Sequence, residues 1–192
     1  TFNTNSIGTL NLLESLRFMK KKCVIVVITS DKSYKNLELS RGYNEEDLLG
    51  GVDPYSASKA CAELVIKSYF NSFLNKNKNL KIGVARAGNV IGGGDWSQNR
   101  LVPDCIKSWT KKKSVVIRNP RSTRPWQHVL EVLSGYLLLA LKLKNNSKIN
   151  GEAFNFGPKN FQNKSVINLI QELKKGLPNF KWKIKHKKNF YE

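Results

Sequence analysis

The stretch Cys23-Val24-Ile25-Val26-Val27-Ile28-Thr29 runs without a break into Ser30-Asp31-Lys32. A continuous β-branched run of this length, with no polar alternation, predicts a strand buried on both faces, as in a parallel sheet flanked by helices. Upstream, residues 5–19 place Ile7, Leu10, Leu12, Leu13 and Leu16 at the spacing of an amphipathic helix. Downstream, residues 32–53 are polar and carry Gly42, Gly50 and Gly51, which predicts a long loop. Pro54 then opens a helix to about residue 73, at a position where its missing N–H costs nothing. A second buried strand is predicted over residues 82–90, helices over 102–109, 129–143 and 166–173, and short strands at 115–118, 153–156 and 182–184. Strands that alternate with helices imply βαβ units and an α/β fold.

The chain has 192 residues, of which 40% are hydrophobic and 10% aromatic, enough for a packed core and too apolar for disorder. Its 33 basic and 14 acidic side chains leave a net charge of +19. Residues 1–60 carry 8 basic and 7 acidic groups, against 13 and 4 in 61–141 and 12 and 3 in 142–192. Lysine supplies 26 of the 33 bases, in loop-like runs such as Lys20-Lys21-Lys22 and Lys111-Lys112-Lys113. Nucleic-acid readers interleave arginine and aromatic residues with their basic stripe, so a solvated surface is expected here and no nucleic-acid partner. An anionic small substrate is compatible with the same charge. Apolar runs such as Val24 to Ile28 are far too short to cross a bilayer, and Thr1-Phe2-Asn3 opens no signal peptide. Cys23, Cys61 and Cys105 are odd in number and far apart, which predicts no disulfide framework, no metal site and a reducing compartment, the cytoplasm.

Tyr55-Ser56-Ala57-Ser58-Lys59 places a phenol and an ammonium one helical turn apart, on one face. The ammonium favours phenolate, which makes Tyr55 a usable general base. Alone the spacing is weak, since 6 tyrosines and 26 lysines give about one such pair by chance. Ser30, Asp31 and Lys32 strengthen it, because they leave the carboxyl end of a strand, where open parallel sheets bind their ligands. Gly92-Gly93-Gly94 follows a strand, but Asp95 comes next and would repel a phosphate held there. The phosphate-binding half of a dinucleotide fold is therefore expected upstream of Thr1.

Thr29-Ser30-Asp31-Lys32-Ser33-Tyr34, then Tyr55 to Lys59, then Arg86-Ala87-Gly88-Asn89-Val90-Ile91-Gly92 resemble the extended short-chain dehydrogenase/reductase superfamily. Asp53-Pro54-Tyr55, Gly92-Gly93-Gly94-Asp95-Trp96, Arg100-Leu101-Val102-Pro103-Asp104 and Arg124-Pro125-Trp126-Gln127-His128-Val129 narrow the likeness to its CDP-glucose 4,6-dehydratase branch, as does Lys32 where related branches carry Glu. The resemblance runs from Thr1 to about Pro158 and is less distinctive beyond.

It implies a Rossmann-type, NAD-binding, doubly wound parallel sheet, incomplete because its N-terminal strands are missing, with a smaller α/β substrate lobe. Residues 1–94 and 126–157 are assigned to the cofactor domain, and 95–125 and 158–192 to a sugar-nucleotide lobe. It implies Ser30, Asp31, Lys32, Tyr55 and Lys59 as catalytic residues. Tyr55 and Lys59 would also hold NAD, with the backbone of Ala87 and Gly88 beside the nicotinamide. Asn89, Leu101, Val102, Arg118 and Arg124 would bind the sugar nucleotide. Trp126 would either shape that pocket or simply pack. It further implies dehydration of CDP-glucose with bound NAD, and a homodimer through helices 5–19 and 55–73. These residues alone, without the Gly-rich half, are expected to bind little NAD and to be inactive. A GDP-mannose dehydratase, a 4-epimerase and a non-catalytic binding remnant are the alternatives.

Overall fold

The computed structural model describes residues 1–158 and 164–185, so the part of the assigned lobe in 159–163 and 186–192 lies outside the described residues. The chain divides into two compact units, one of Thr1–Gly88 with Leu130–Gly157, the other of Asn89–Val129 with the stretch from Pro158 onward.

In the first unit a π-helical turn, Asn3–Ile7, continues into α1 (Gly8–Leu16). Strand β1 (Cys23–Ile28) follows, then a 3-10 turn at Asp31–Ser33, α2 (Pro54–Ser72) and β2 (Leu80–Ala87). Helix α4 (Val129–Asn145) and strand β7 (Ala153–Phe156) complete it. The sheet order is β1-β2-β7, parallel throughout, with Cys23 opposite Leu80, Ile28 opposite Ala85, and Ala87 opposite Phe156.

The period-two geometry of a strand sends alternate β1 side chains to opposite faces. Cys23, Ile25 and Val27 join Leu13, Leu16, Ile66, Leu80 and Ile82 in one cluster. Val24 and Val26 join Ala85, Leu139 and Leu143 in another. Helices thus cover both faces, α1 and α2 on one side and α4 on the other. Burying each large aliphatic group here contributes about 1.5–3 kcal/mol. Gly83 lets α4 approach closely, since a Cβ there would lie 2.8 Å from Leu143 Cδ1.

Two expectations need correction. The β1 side chains are half-buried and Ile28 is exposed, because among the described residues β1 has a neighbouring strand on one side only. The predicted 82–90 strand breaks at Gly88-Asn89, and Val90–Ile91 forms a separate short strand, β3.

In the second unit, β3 pairs in parallel with β6 (Gln127–His128), and β4 (Val115–Ile117) pairs in parallel with β9 (Trp182–Ile184). Strands β5 (Thr123–Arg124) and β8 (Lys164–Ser165) form a two-residue antiparallel bridge. Helices α3 (Leu101–Thr110) and α5 (Val166–Gly176) share a core with β4 and β9 built on Cys105, Val115, Ile117, Ile170 and Phe180.

Candidate active site

The first unit gathers its polar residues at the carboxyl ends of the three parallel strands, the edge where open α/β sheets bind ligands. Ser30 follows β1 in extended conformation and caps the 3-10 turn, its Oγ accepting from the Lys32 N–H at 3.2 Å and donating to Asp31 Oδ1 at 3.2 Å. Its carbonyl accepts both the N–H and the hydroxyl of Ser33, at 3.0 and 2.8 Å. Ser30 is 8% exposed, Asp31 half-buried and Lys32 exposed. The turn packs against α2.

Helix α2 begins in a capping box. Asp53 Oδ1 accepts the N–H groups of Tyr55 and Ser56 at 2.8 and 3.1 Å, and Ser56 Oγ accepts the Asp53 N–H at 3.3 Å. The Ser56 hydroxyl, those two N–H groups and the charge of Lys32 hold the Asp53 carboxyl below the usual carboxylate range. From Pro54 at the first helical position, Tyr55 and Lys59 project from successive turns of one face. The N-terminal segment grips that first turn. Asn5 Nδ2 donates to Ser58 Oγ at 2.9 Å, the Ser6 hydroxyl to the Ser58 carbonyl at 3.0 Å, and Ser58 Oγ to the Tyr55 carbonyl at 2.7 Å. Tyr55 is 44% exposed and Lys59 half-buried, and among the described residues neither the phenol nor the ammonium has a hydrogen-bond partner.

Ala87, buried, ends β2, and Gly88 follows it. Ser30, Asp31, Lys32, Tyr55, Lys59, Ala87 and Gly88 therefore belong to one compact unit.

Asn89, Leu101, Val102, Arg118 and Arg124 belong to the other. The Asn89 carbonyl accepts the Gln127 N–H at 3.0 Å, which ties it to the start of the β3–β6 pair. Leu101 and Val102 begin α3, and Leu101 packs on the Cys105 core. Arg118 is exposed and lines an open cleft of about 520 Å³ with Asp104, Lys107, Ser108, Val116 and Lys185. Three cations against one carboxylate suit an anionic ligand. Arg124 is half-buried and donates from Nη1 to the Thr123 carbonyl at 2.8 Å. Trp126 Nε1 is buried with no hydrogen-bond partner among the described residues.

Sequence reasoning missed Glu63, which is 4% exposed and ion-paired with Arg86 at 2.5 Å beneath the 3-10 turn. Nothing local marks it, although its spacing of four from Lys59 and eight from Tyr55 places all three on one stripe of α2. Burial disfavours the Arg86 charge, but the hydrogen bonds and charge of Glu63, aided by Tyr34, outweigh it and raise the guanidinium. Burial also raises the Tyr34 phenol against the pull of Arg86, so it stays neutral. Among the described residues no helix is long and apolar enough to cross a membrane.

Comparison with known proteins places these features among relatives. A sequence profile for the NAD dependent epimerase/dehydratase family matches residues 1–157. The CDP-glucose 4,6-dehydratase of Salmonella typhimurium is 46% identical over 177 residues, covering 90% of this chain and 49% of that protein. The UDP-glucose 4-epimerase of Mycoplasma pneumoniae is 26% identical over 189 residues, covering 90% and 54%. The chain thus spans about half the length of these curated relatives. Its fold matches the crystal structure of dTDP-glucose 4,6-dehydratase from Bacillus anthracis in complex with NAD, with a TM-score of 0.77 at 22% identity over 98% of this chain and 57% of that one. UDP-glucuronic acid 4-epimerase from Bacillus cereus, solved with UDP-glucuronic acid and NAD, gives 0.80 at 23% identity over 95% and 55%. The fold is the Rossmann-type α/β fold of those structures.

Proposed function

Since this chain belongs to the NAD dependent epimerase/dehydratase family, we propose that it carries the catalytic residues of a nucleotide-sugar 4,6-dehydratase acting on CDP-glucose with NAD as resident cofactor. The observation that carries this reading is the placement of the Tyr55 phenol and Lys59 ammonium on the first turns of α2, against which the Ser30–Ser33 turn packs at the carboxyl edge of a parallel sheet. The 46% identity to the Salmonella enzyme supports the choice of sugar nucleotide.

In this reading Tyr55, held as phenolate beside Lys59, takes the proton of the sugar 4-hydroxyl with help from Ser30 Oγ. Asp31 protonates the departing 6-hydroxyl. Lys32, exposed beside Asp53, takes the C5 proton as the neutral amine, directly or through water. The donor set fits the nicotinamide end of NAD. A phenol and an ammonium with no protein hydrogen-bond partner among the described residues match ribose hydroxyls. Tyr55, Lys59 and the backbone of Ala87 and Gly88 would hold it. When bound, NAD would supply the hydride acceptor for C4 and the hydride donor for C6, so that it is regenerated and the net reaction is loss of water.

Asn89, Arg124 and the Arg118 cleft are assigned to the sugar nucleotide, with Leu101 and Val102 flanking its base. A guanidinium fork suits diphosphate oxygens. The exposed apolar residues Ile7, Leu12 and Leu64 of the N-terminal helical segment and α2 support a homodimer through those helices. Free thiols at Cys23, Cys61 and Cys105 are consistent with a reducing cytoplasm.

Incubation of the full-length protein with CDP-glucose, dTDP-glucose and GDP-mannose in turn, followed by mass spectrometry, tests the assignment. CDP-glucose should yield a ketone lighter by one water, and Tyr55→Phe should bind CDP-glucose but form none. Ketone from dTDP-glucose with none from CDP-glucose, or undiminished turnover by Tyr55→Phe, would refute it.

A further inference from the structure

Beneath the Ser30–Ser33 turn lies a fully buried polar cluster to which none of the roles above is attached. Glu63 Oε1 accepts from the Thr29 hydroxyl at 2.7 Å and Arg86 Nε at 3.0 Å, and lies 2.9 Å from the Ser33 hydroxyl, whose one proton it shares with the Ser30 carbonyl. Its Oε2 accepts Arg86 Nε at 2.8 Å and Nη2 at 2.5 Å. Arg86 Nη1 continues outward to the Tyr34 hydroxyl at 2.6 Å and the Glu45 carbonyl at 3.0 Å. Tyr34 in turn donates to Asn155 Oδ1 at 2.7 Å and stacks on Tyr43, with ring centroids 5.2 Å apart. Thr29, Ser33, Glu63 and Arg86 are each 7% exposed or less.

A buried ion pair is a poor source of stability, because desolvating two charges consumes most of what their attraction returns. What this pair supplies is geometry. The carboxylate sits on α2, one turn beyond Lys59 and two beyond Tyr55. Its two hydroxyl partners, Thr29 and Ser33, bracket Ser30, Asp31 and Lys32 in the chain. The guanidinium rises from the central strand of the sheet and fastens the loop after the turn through Tyr34 and Glu45. One carboxylate thus sets the rotation of the helix bearing the phenol and the seat of the turn bearing the serine.

We propose that Glu63, clamped by Arg86, is the positioning residue that fixes the Ser30–Ser33 turn against the Tyr55 face of α2. It touches neither substrate nor cofactor and acts through Thr29 and Ser33. The inference rests on the functional reading above for its effect on turnover, but not for its effect on structure.

The test compares wild type, Glu63→Gln, Arg86→Lys and a core control, Leu139→Ala, in the full-length protein. Leu139 packs on the opposite face of the sheet, among Ala85 and Leu143. Hydrogen exchange is read at the amides of Ser33 and Tyr34, whose N–H groups close the turn onto Ser30 and Asp31. In Glu63→Gln these amides should exchange at least about tenfold faster, and kcat for ketone formation from CDP-glucose should fall about tenfold or more with KM within about threefold. Leu139→Ala should destabilise globally yet leave both readings within about twofold of wild type. Should Glu63→Gln fail to fold, Arg86→Lys, which keeps the charge but loses the fork, should show the same acceleration at Tyr34. Unchanged exchange in the folded Glu63 or Arg86 variant, or equal acceleration in Leu139→Ala, overturns the proposal. If wild type makes no ketone, the functional reading fails and the exchange comparison still decides this one.

Discussion

Replacing Asp53 by alanine removes the cap of the helix that begins with Pro54 and Tyr55. The side chain satisfies two of the orphan N–H groups, those of Tyr55 and Ser56, and exchanges a third bond with the Ser56 hydroxyl. Loss of such a cap costs about 1 kcal/mol, and loss of a negative charge at a helix start about 0.3–1 kcal/mol more. For a chain of this size, about 1.3–2 kcal/mol lowers Tm by roughly 3–8 °C. Asp53→Asn keeps the acceptor but not the charge and should recover about 1 kcal/mol of the loss. The two contributions separate with pH. The folded-state carboxyl of Asp53 lies below its ordinary value, so its ionic contribution is present above about pH 4 and is lost as pH falls through the lowered value. Circular-dichroism melts should therefore show the gap between wild type and Asp53→Ala narrowing in acid, while the gap between the Asn and Ala variants stays constant. An Asp53→Ala protein that melts within about 1 °C of wild type at neutral pH would refute the reasoning, because it would mean that the helix start is held by something other than its cap.

Gly151 has φ of +92°, and a Cβ there would lie 2.2 Å from the Phe70 ring. Gly151→Ala should cost about 2–5 kcal/mol through strain and overpacking, read as a lower urea midpoint at an unchanged m-value. Burial, aided by the Asp104 charge, pushes the Cys105 thiol up to about 12. A thiol reagent near neutral pH should therefore label Cys23 and Cys61, both partly accessible, well before Cys105. In the unfolded chain Cys105 loses its proton near pH 8.5, so denaturant titrations should show the contribution of the neutral thiol declining from there toward pH 12. Substituting Cys105 with serine should abolish that slope.

Much of this was legible in the chain itself. The β-branched run at 23–28, the proline at the head of α2 and the four-residue offset of Tyr55 from Lys59 are decided by near neighbours, through side-chain stiffness, backbone geometry and helical pitch. They placed the strands and helices and pointed to the carboxyl edge of the sheet. The short pairings of Thr123–Arg124 with Lys164–Ser165 and of Val90–Ile91 with Gln127–His128 are too brief to leave a periodic trace. Glu63 reads in sequence as one more charged residue on a helix, and Arg86 as part of a motif at the end of a strand. Only folding, which brings together partners 23 to 121 residues apart, turns them into the buried scaffold under Ser30 and Tyr34. Local chemistry chooses the elements. Which polar groups meet inside, away from water, depends on strand register and helix packing that no short stretch of chain encodes.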